Sequence, residues 1–252
     1  MPEGFIDNFS TQSKNYSFSR PTYPQSLFKF LSTVTPQNNL AWDCATGNGQ
    51  AAIGLAKYFK KVIASDASRN QIRYAFQREN IQYKVFQAEN AEIDSDSVDI
   101  VTVAQALHWF DFDKFYSRVK RVGKKGGIIA AWSYDMHKIN PQIDKITSRL
   151  DVEGDILGSY WDKEAKYVKE KYKTITFPFR EISVPAFKTR LHWNLAQLWD
   201  YMKTWSSVKK YYSENKRDPL ELVKPEVSAL WGDEFDKKQV TWDINMRVGV
   251  IK

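Results

Sequence analysis

The chain has 252 residues, 42% of them hydrophobic and 15% aromatic, which supplies one large buried core and argues against global disorder. Its formal charge of +7 is spread almost evenly over the two halves with no basic or acidic tail, so an anionic ligand is admitted but nucleic acid is not demanded. The single cysteine, Cys44, rules out an intrachain disulfide, a thiolate zinc cage and a Cys-x-x-Cys redox centre.

The opening residues Met1 to Asp7 lack the basic-then-apolar pattern of a secretory signal, and the apolar runs near 98–110 and 126–132 are interrupted or too short to span a bilayer. The expectation is a cytoplasmic protein without membrane association. Residues 1–39 read as an aromatic, polar arm followed by an amphipathic helix carrying Leu27, Phe30 and Leu31. From Leu40 short apolar runs alternate with helical stretches. Strands are predicted at 40–44, 61–65, 82–86, 98–103 and 127–132, with helices at 50–59, 69–79 and 112–122.

After Trp132 the rhythm changes, and 137–172 reads as a helical insertion. A strand is expected within 181–191, helices at 194–201 and 219–230, and a terminal edge strand, antiparallel to its neighbour, at 240–251. The domain division is one unit: arm 1–39, cofactor core 40–133, substrate-side insertions 134–239 and terminal strand 240–252.

Leu40 to Ala52 runs from a strand through a small-residue turn into a helix, a layout that lets a ligand approach the backbone and meet unpaired N–H groups. Asp66 ends the next strand, where a carboxylate accepts hydrogen bonds from a ribose diol. Together they point to an adenosine-containing cofactor. Gly47-x-Gly49-x-x-Ala52 also satisfies the loose dinucleotide pattern, but Asp43 would repel a pyrophosphate and suits a cofactor with a cationic amine. That cofactor is S-adenosylmethionine.

Asp43 to Gly49 resembles motif I of class I S-adenosylmethionine-dependent methyltransferases, with Ala45 where the family usually has its first glycine. Ser65-Asp66 resembles motif II, Gln87-Ala88-Glu89 the adenine-edge motif, and Gln105 to Phe110 the motif after the fourth strand. Over nearly the whole chain the similarity is to type 11 methyltransferases of the trans-aconitate methyltransferase-like subgroup. The arm (Ser19 to Pro24), Tyr160 to Asp162, Phe177 to Phe179 and Tyr201 to Ser206 carry it.

The resemblance implies an α/β, Rossmann-like, seven-stranded and mostly parallel sheet with helices on both faces and a helical insertion after strand 5. It implies that Ala45, Gly47, Asn48 and Gly49 approach the methionine part of the cofactor, with Asp43 near its amino group. Asp66 would bind the ribose, Ala67 and Gln71 the adenine face, Gln87, Ala88 and Glu89 the adenine edge, and Gln105 and Ala106 the methionine moiety. Arg20 and Tyr16 would close over the carboxylate end, and Tyr23, Trp109, Tyr201 and Trp205 would meet the acceptor.

His108 is the candidate general base if the acceptor is a hydroxyl or amine, although Leu107 to Phe110 also reads as a packing cluster. His137 and His192 lack partners at metal spacing, so surface or loop roles and no metal site are expected. Cys44 reads as packing, and the basic run Lys114 to Lys125 as helix-dipole partners and solvated surface. The functional expectation is O-methylation of a small carboxylate by a monomer or homodimer. The alternatives are a small hydroxyl or amine acceptor, RNA, or a non-catalytic cofactor-binding protein.

Overall fold

In a computed structural model, residues 20–252 are described, so Tyr16 and the start of the arm lie outside the described residues. Five runs rich in branched and small apolar residues form β1 (Leu40–Cys44), β2 (Lys61–Asp66), β3 (Ile81–Val85), β4 (Val98–Ala104) and β5 (Gly123–Tyr134). All pair in parallel in the order β3-β2-β1-β4-β5. Six of the seven β4 residues are buried, as expected of a strand covered on both faces.

The order reverses between β1 and β4, opening a crevice at the carboxyl ends of these strands. Alternation along each strand sends Ala41 and Ile100 into one apolar layer and Trp42 and Val101 into the other. The first layer is closed by α1 (Gln25–Val34) and α2 (Gln50–Leu55), the second by α4 (Phe112–Val122) with Phe115 and Val119 at its centre. The short α3 (Arg69–Arg73) lies over β2 and β3. Its expected continuation to residue 79 is replaced by a turn, in which Phe76 donates its N–H to the Asn48 carbonyl and accepts from the Tyr83 hydroxyl.

The terminal run is β8 (Lys238–Val250), antiparallel to β5 as expected, but it is not an edge. Its far side carries β6 (Arg180–Glu181) and β7 (Phe187–Trp193), so eight strands fill seven positions. Pro185, which cannot donate to a ladder, divides β6 from β7 where one strand is expected. The insertion is less helical than its composition suggests, with α5 (Pro141–Thr147) and α6 (Ala165–Lys169) separated by two short 3-10 turns at Ser148–Leu150 and Gly158–Tyr160. A Cβ on Gly154 would lie 2.2 Å from the Arg149 carbonyl oxygen, which marks a chain folded tightly on itself.

Toward the carboxyl end, α7 (Leu195–Lys203) starts at an Asn194–Gln197 capping box, followed by α8 (Ser206–Asn215) and α9 (Lys224–Trp231). Among the described residues no helix is long and apolar enough to cross a membrane.

Candidate active site

The crevice holds a cavity of about 260 Å3 walled by the carboxyl ends of β1, β2, β4 and β5 and by the chain just after β3. Ala45, Gly47, Asn48, Asp66, Ala67 and Gln71 face one another there, with Gln87, Ala88 and Glu89 at one end and Gln105 and Ala106 at the other. Arg20, Tyr23 and Trp109 complete its rim.

The loop is held in shape by Asp66, whose carboxylate accepts from the Gly47 N–H at 2.9 Å and the Ser68 N–H at 2.8 Å. Ala45 and Gln105 stand opposite each other at the ends of β1 and β4 with φ of 52° and 57°, a conformation that side chains resist. Glycine's usual place at Ala45 follows from this backbone. Gln105 is fixed at both ends, its N–H donating to the Trp132 carbonyl at 2.8 Å and its Oε1 accepting from the Tyr134 N–H at 3.2 Å.

Two motif residues stand behind the cavity rather than on its wall. Asp43 is fully buried, its carboxylate accepting from the hydroxyls of Thr46 at 2.5 Å and Thr102 at 2.8 Å. Burial is the main cause that pushes its pKa up to about 6, against the pull of the two threonines. A carboxyl raised from its ordinary 3.8 to about 6 carries a cost that appears as pH rises through this window, of about 3 kcal/mol when complete. Asp43→Asn is therefore expected to gain stability relative to the native chain from pH 4 to pH 7. Urea denaturation at both values measures that difference. Gly49 is the second, packed against Tyr83 where it starts α2.

A second cavity of about 430 Å3 adjoins the first through the shared residues Arg20, Gln105, Trp109 and Tyr134. Tyr201 and Trp205 line it, as do Trp161, His108 and His137. Arg20 is fixed at the junction, donating to the Tyr134 hydroxyl at 3.0 Å and the Thr204 carbonyl at 3.3 Å, with its guanidinium 5.5 Å from the Tyr201 ring centre. His108 is 8% exposed, and burial pushes its pKa down to about 3. Its Nδ1 lies 2.9 Å from the Tyr172 hydroxyl, so this imidazole is neutral and half engaged.

His137 lies in the loop after β5, as expected, but is buried there beside Tyr201 and Trp205 rather than at the surface, whereas His192 is exposed on β7. Cys44 is fully buried, and burial pushes its thiol well above the usual range. The basic run on α4 is partly spent within the fold. Arg118 donates to the Glu89 carbonyl at 2.7 Å, and Arg121 to the carbonyls of Ala91 and Ile93. Tyr134, at the end of β5, and Phe86, just after β3, join the first wall without having been singled out, brought there by the common direction of the parallel strands.

The wall suits S-adenosylmethionine by its chemistry: a carboxylate at the end of β2, an apolar slot of Phe86, Ala67 and Phe110, and a guanidinium at the far rim. A Cβ built on Gly47 would meet nothing nearer than the Gln71 Oε1 at 3.9 Å, so the loop offers open backbone to a ligand.

Comparison with known proteins agrees. Residues 42–131 match the family model described as a methyltransferase domain. A Dictyostelium discoideum protein named as a methyltransferase is 32% identical over 99% of this chain and 95% of its own length. A Saccharomyces cerevisiae protein named as an S-adenosylmethionine-dependent methyltransferase is 23% identical over 98% and 94%. Among solved structures, one described as a type II methyltransferase from Anaeromyxobacter dehalogenans is 36% identical, with a TM-score of 0.85 over 92% of this chain and 98% of that one. Motif loop, ribose-side acid, sheet order and full-length relatives converge: the chain belongs to the class I S-adenosylmethionine-dependent methyltransferases.

Proposed function

We propose that this enzyme methylates a carboxylate of a small acid seated in the second cavity, giving a methyl ester and S-adenosylhomocysteine, as in the trans-aconitate-like subgroup. The observation that carries this reading is Arg20, a guanidinium held by two hydrogen bonds where the two cavities meet. Fixed positive charge at this junction supports an anionic acceptor approaching the first cavity from the second.

When bound, the cofactor supplies an electrophilic methyl whose bond breaks onto sulfur as an acceptor oxygen forms the new C–O bond, with no proton transferred. The protein's part is to align the two and exclude water. Asp66 would accept from the ribose hydroxyls, Gln87 to Glu89 would border the adenine edge, and Gly47, Gln105 and Ala106 would flank the methionine end. Asp43 would act from behind the loop, setting Thr46 rather than touching the amine.

A carboxylate is ionised at neutral pH and needs no base. This agrees with a His108 pushed down to about 3, whose Nδ1 is occupied by Tyr172. His108 would then serve as a polar wall. A screen of small carboxylic acids, trans-aconitate among them, with labelled cofactor tests the proposal. Turnover confined to amines or phenols would sink it. For the true acceptor, kcat/KM is expected to stay flat between about pH 7.5 and 9, above the titration of Asp43, since no required base is deprotonated there.

A further inference from the structure

His137, just after β5, is 3% exposed, yet neither ring nitrogen has a hydrogen-bond partner among the described residues. Buried polar groups in native folds are nearly always paired, so an imidazole orphaned at both ends calls for a cause. The ring borders the second cavity between Tyr201 and Trp205, with centroid separations of 6.0 and 6.1 Å. The imidazole is thus part of the wall against which an acceptor would lie.

Its chemistry narrows what that ligand carries. Burial pushes the His137 pKa down to about 4, so at neutral pH it offers one N–H donor and one lone-pair acceptor. The lysines of this cavity are already committed, Lys169 to Asp151, Lys171 to Asp135 at 3.5 Å and Lys138 to Asp243 at 2.6 Å. Away from Arg20 the wall therefore favours a neutral polar group over a second carboxylate.

We propose that His137 is a specificity residue of the acceptor site, hydrogen-bonding a hydroxyl remote from the reacting carboxylate, so that the acceptor is a hydroxy acid. This rests on the carboxylate reading above and narrows it. A hydroxyl both donates and accepts, which matches a neutral imidazole, whereas a methyl in its place leaves the ring orphaned as before.

The test titrates the full chain loaded with S-adenosylhomocysteine with 4-hydroxybutyrate and 6-hydroxyhexanoate, and with butyrate and hexanoate, followed by calorimetry and by the ring 15N resonances of His137. The hydroxy acids are expected to bind about 10-fold tighter than their deoxy partners and to shift the His137 resonances. His137→Phe should abolish that preference without lowering the melting temperature, and His137→Gln should restore part of it. Acids that bind with the resonances unmoved, or a hydroxyl preference that survives in His137→Phe, overturn the role of His137 alone. Failure of every acid to bind overturns the carboxylate reading and this proposal with it. The resonance measurement uses the native chain and so decides the matter even where His137→Phe does not fold.

Discussion

Asp66→Ala is expected to weaken S-adenosylmethionine binding by about 100-fold or more, read by isothermal titration calorimetry. The carboxylate does two things at once. It would accept from the ribose diol, and it holds the Gly47 and Ser68 N–H groups at 2.9 and 2.8 Å, fixing the loop and the turn into α3. Hydrogen bonds to a charged group contribute about 1.5–3 kcal/mol each, and about 2.7 kcal/mol corresponds to the 100-fold loss. Asp66→Asn separates the two tasks, because an amide oxygen can still accept one backbone N–H while the charge toward the ribose is gone. Its binding should fall between those of the native chain and the alanine variant. Full-strength binding by Asp66→Ala would remove the ribose assignment.

A large stability effect is expected at Gly49. Its φ is +88°, and a Cβ there would come within 2.2 Å of the Tyr83 hydroxyl oxygen, which is itself held at 2.5 Å from the Phe76 carbonyl. Left-handed backbone costs a side chain about 1–2 kcal/mol, and displacing the tyrosine adds a steric cost of about 1–3 kcal/mol. Gly49→Ala should thus lose about 3 kcal/mol, or roughly 6–12 °C in melting temperature for a chain of this size. Combining it with Tyr83→Phe removes the nearest atom and should recover part of the loss in a denaturation cycle. Additive single effects would show that the two residues do not press on one another.

What the sequence discloses follows from the range over which each signal acts. The ends of β1 and α4 are set locally, by an apolar run and by Asp111, whose side chain accepts from the Lys114 N–H, and both elements lie where periodicity predicts. The interior place of β8 depends on β6 and β7 pairing with its outer side, which alternation along β8 does not reveal. The wall of the first cavity is legible because its residues sit in short stretches at successive strand ends, the first of them running from the end of β1 into α2. Asp43 belongs to the same stretch, but whether it faces ligand or protein depends on Thr102, 59 residues away.

The histidines show the same limit. Tyr172, 64 residues from His108 in sequence, occupies one of its nitrogens, and no spacing rule announces that contact. His137 lacks a pattern altogether. Only its burial against two aromatic rings from the α7–α8 region distinguishes it from an exposed loop histidine.

The two arginines of α4 have a consequence for how a ligand is engaged. By gripping the carbonyls of Glu89, Ala91 and Ile93, they fix the segment below the proposed adenine end when the chain folds, before any cofactor arrives. Little conformational freedom remains to be lost there on binding. The opposite rim depends on Arg20 bridging to Tyr134 and Thr204, groups from distant parts of the chain. Both ends of the first cavity are thus held by hydrogen bonds within the chain itself, the one below Gln87 to Glu89 through α4 and the one at Arg20 through Tyr134 and Thr204.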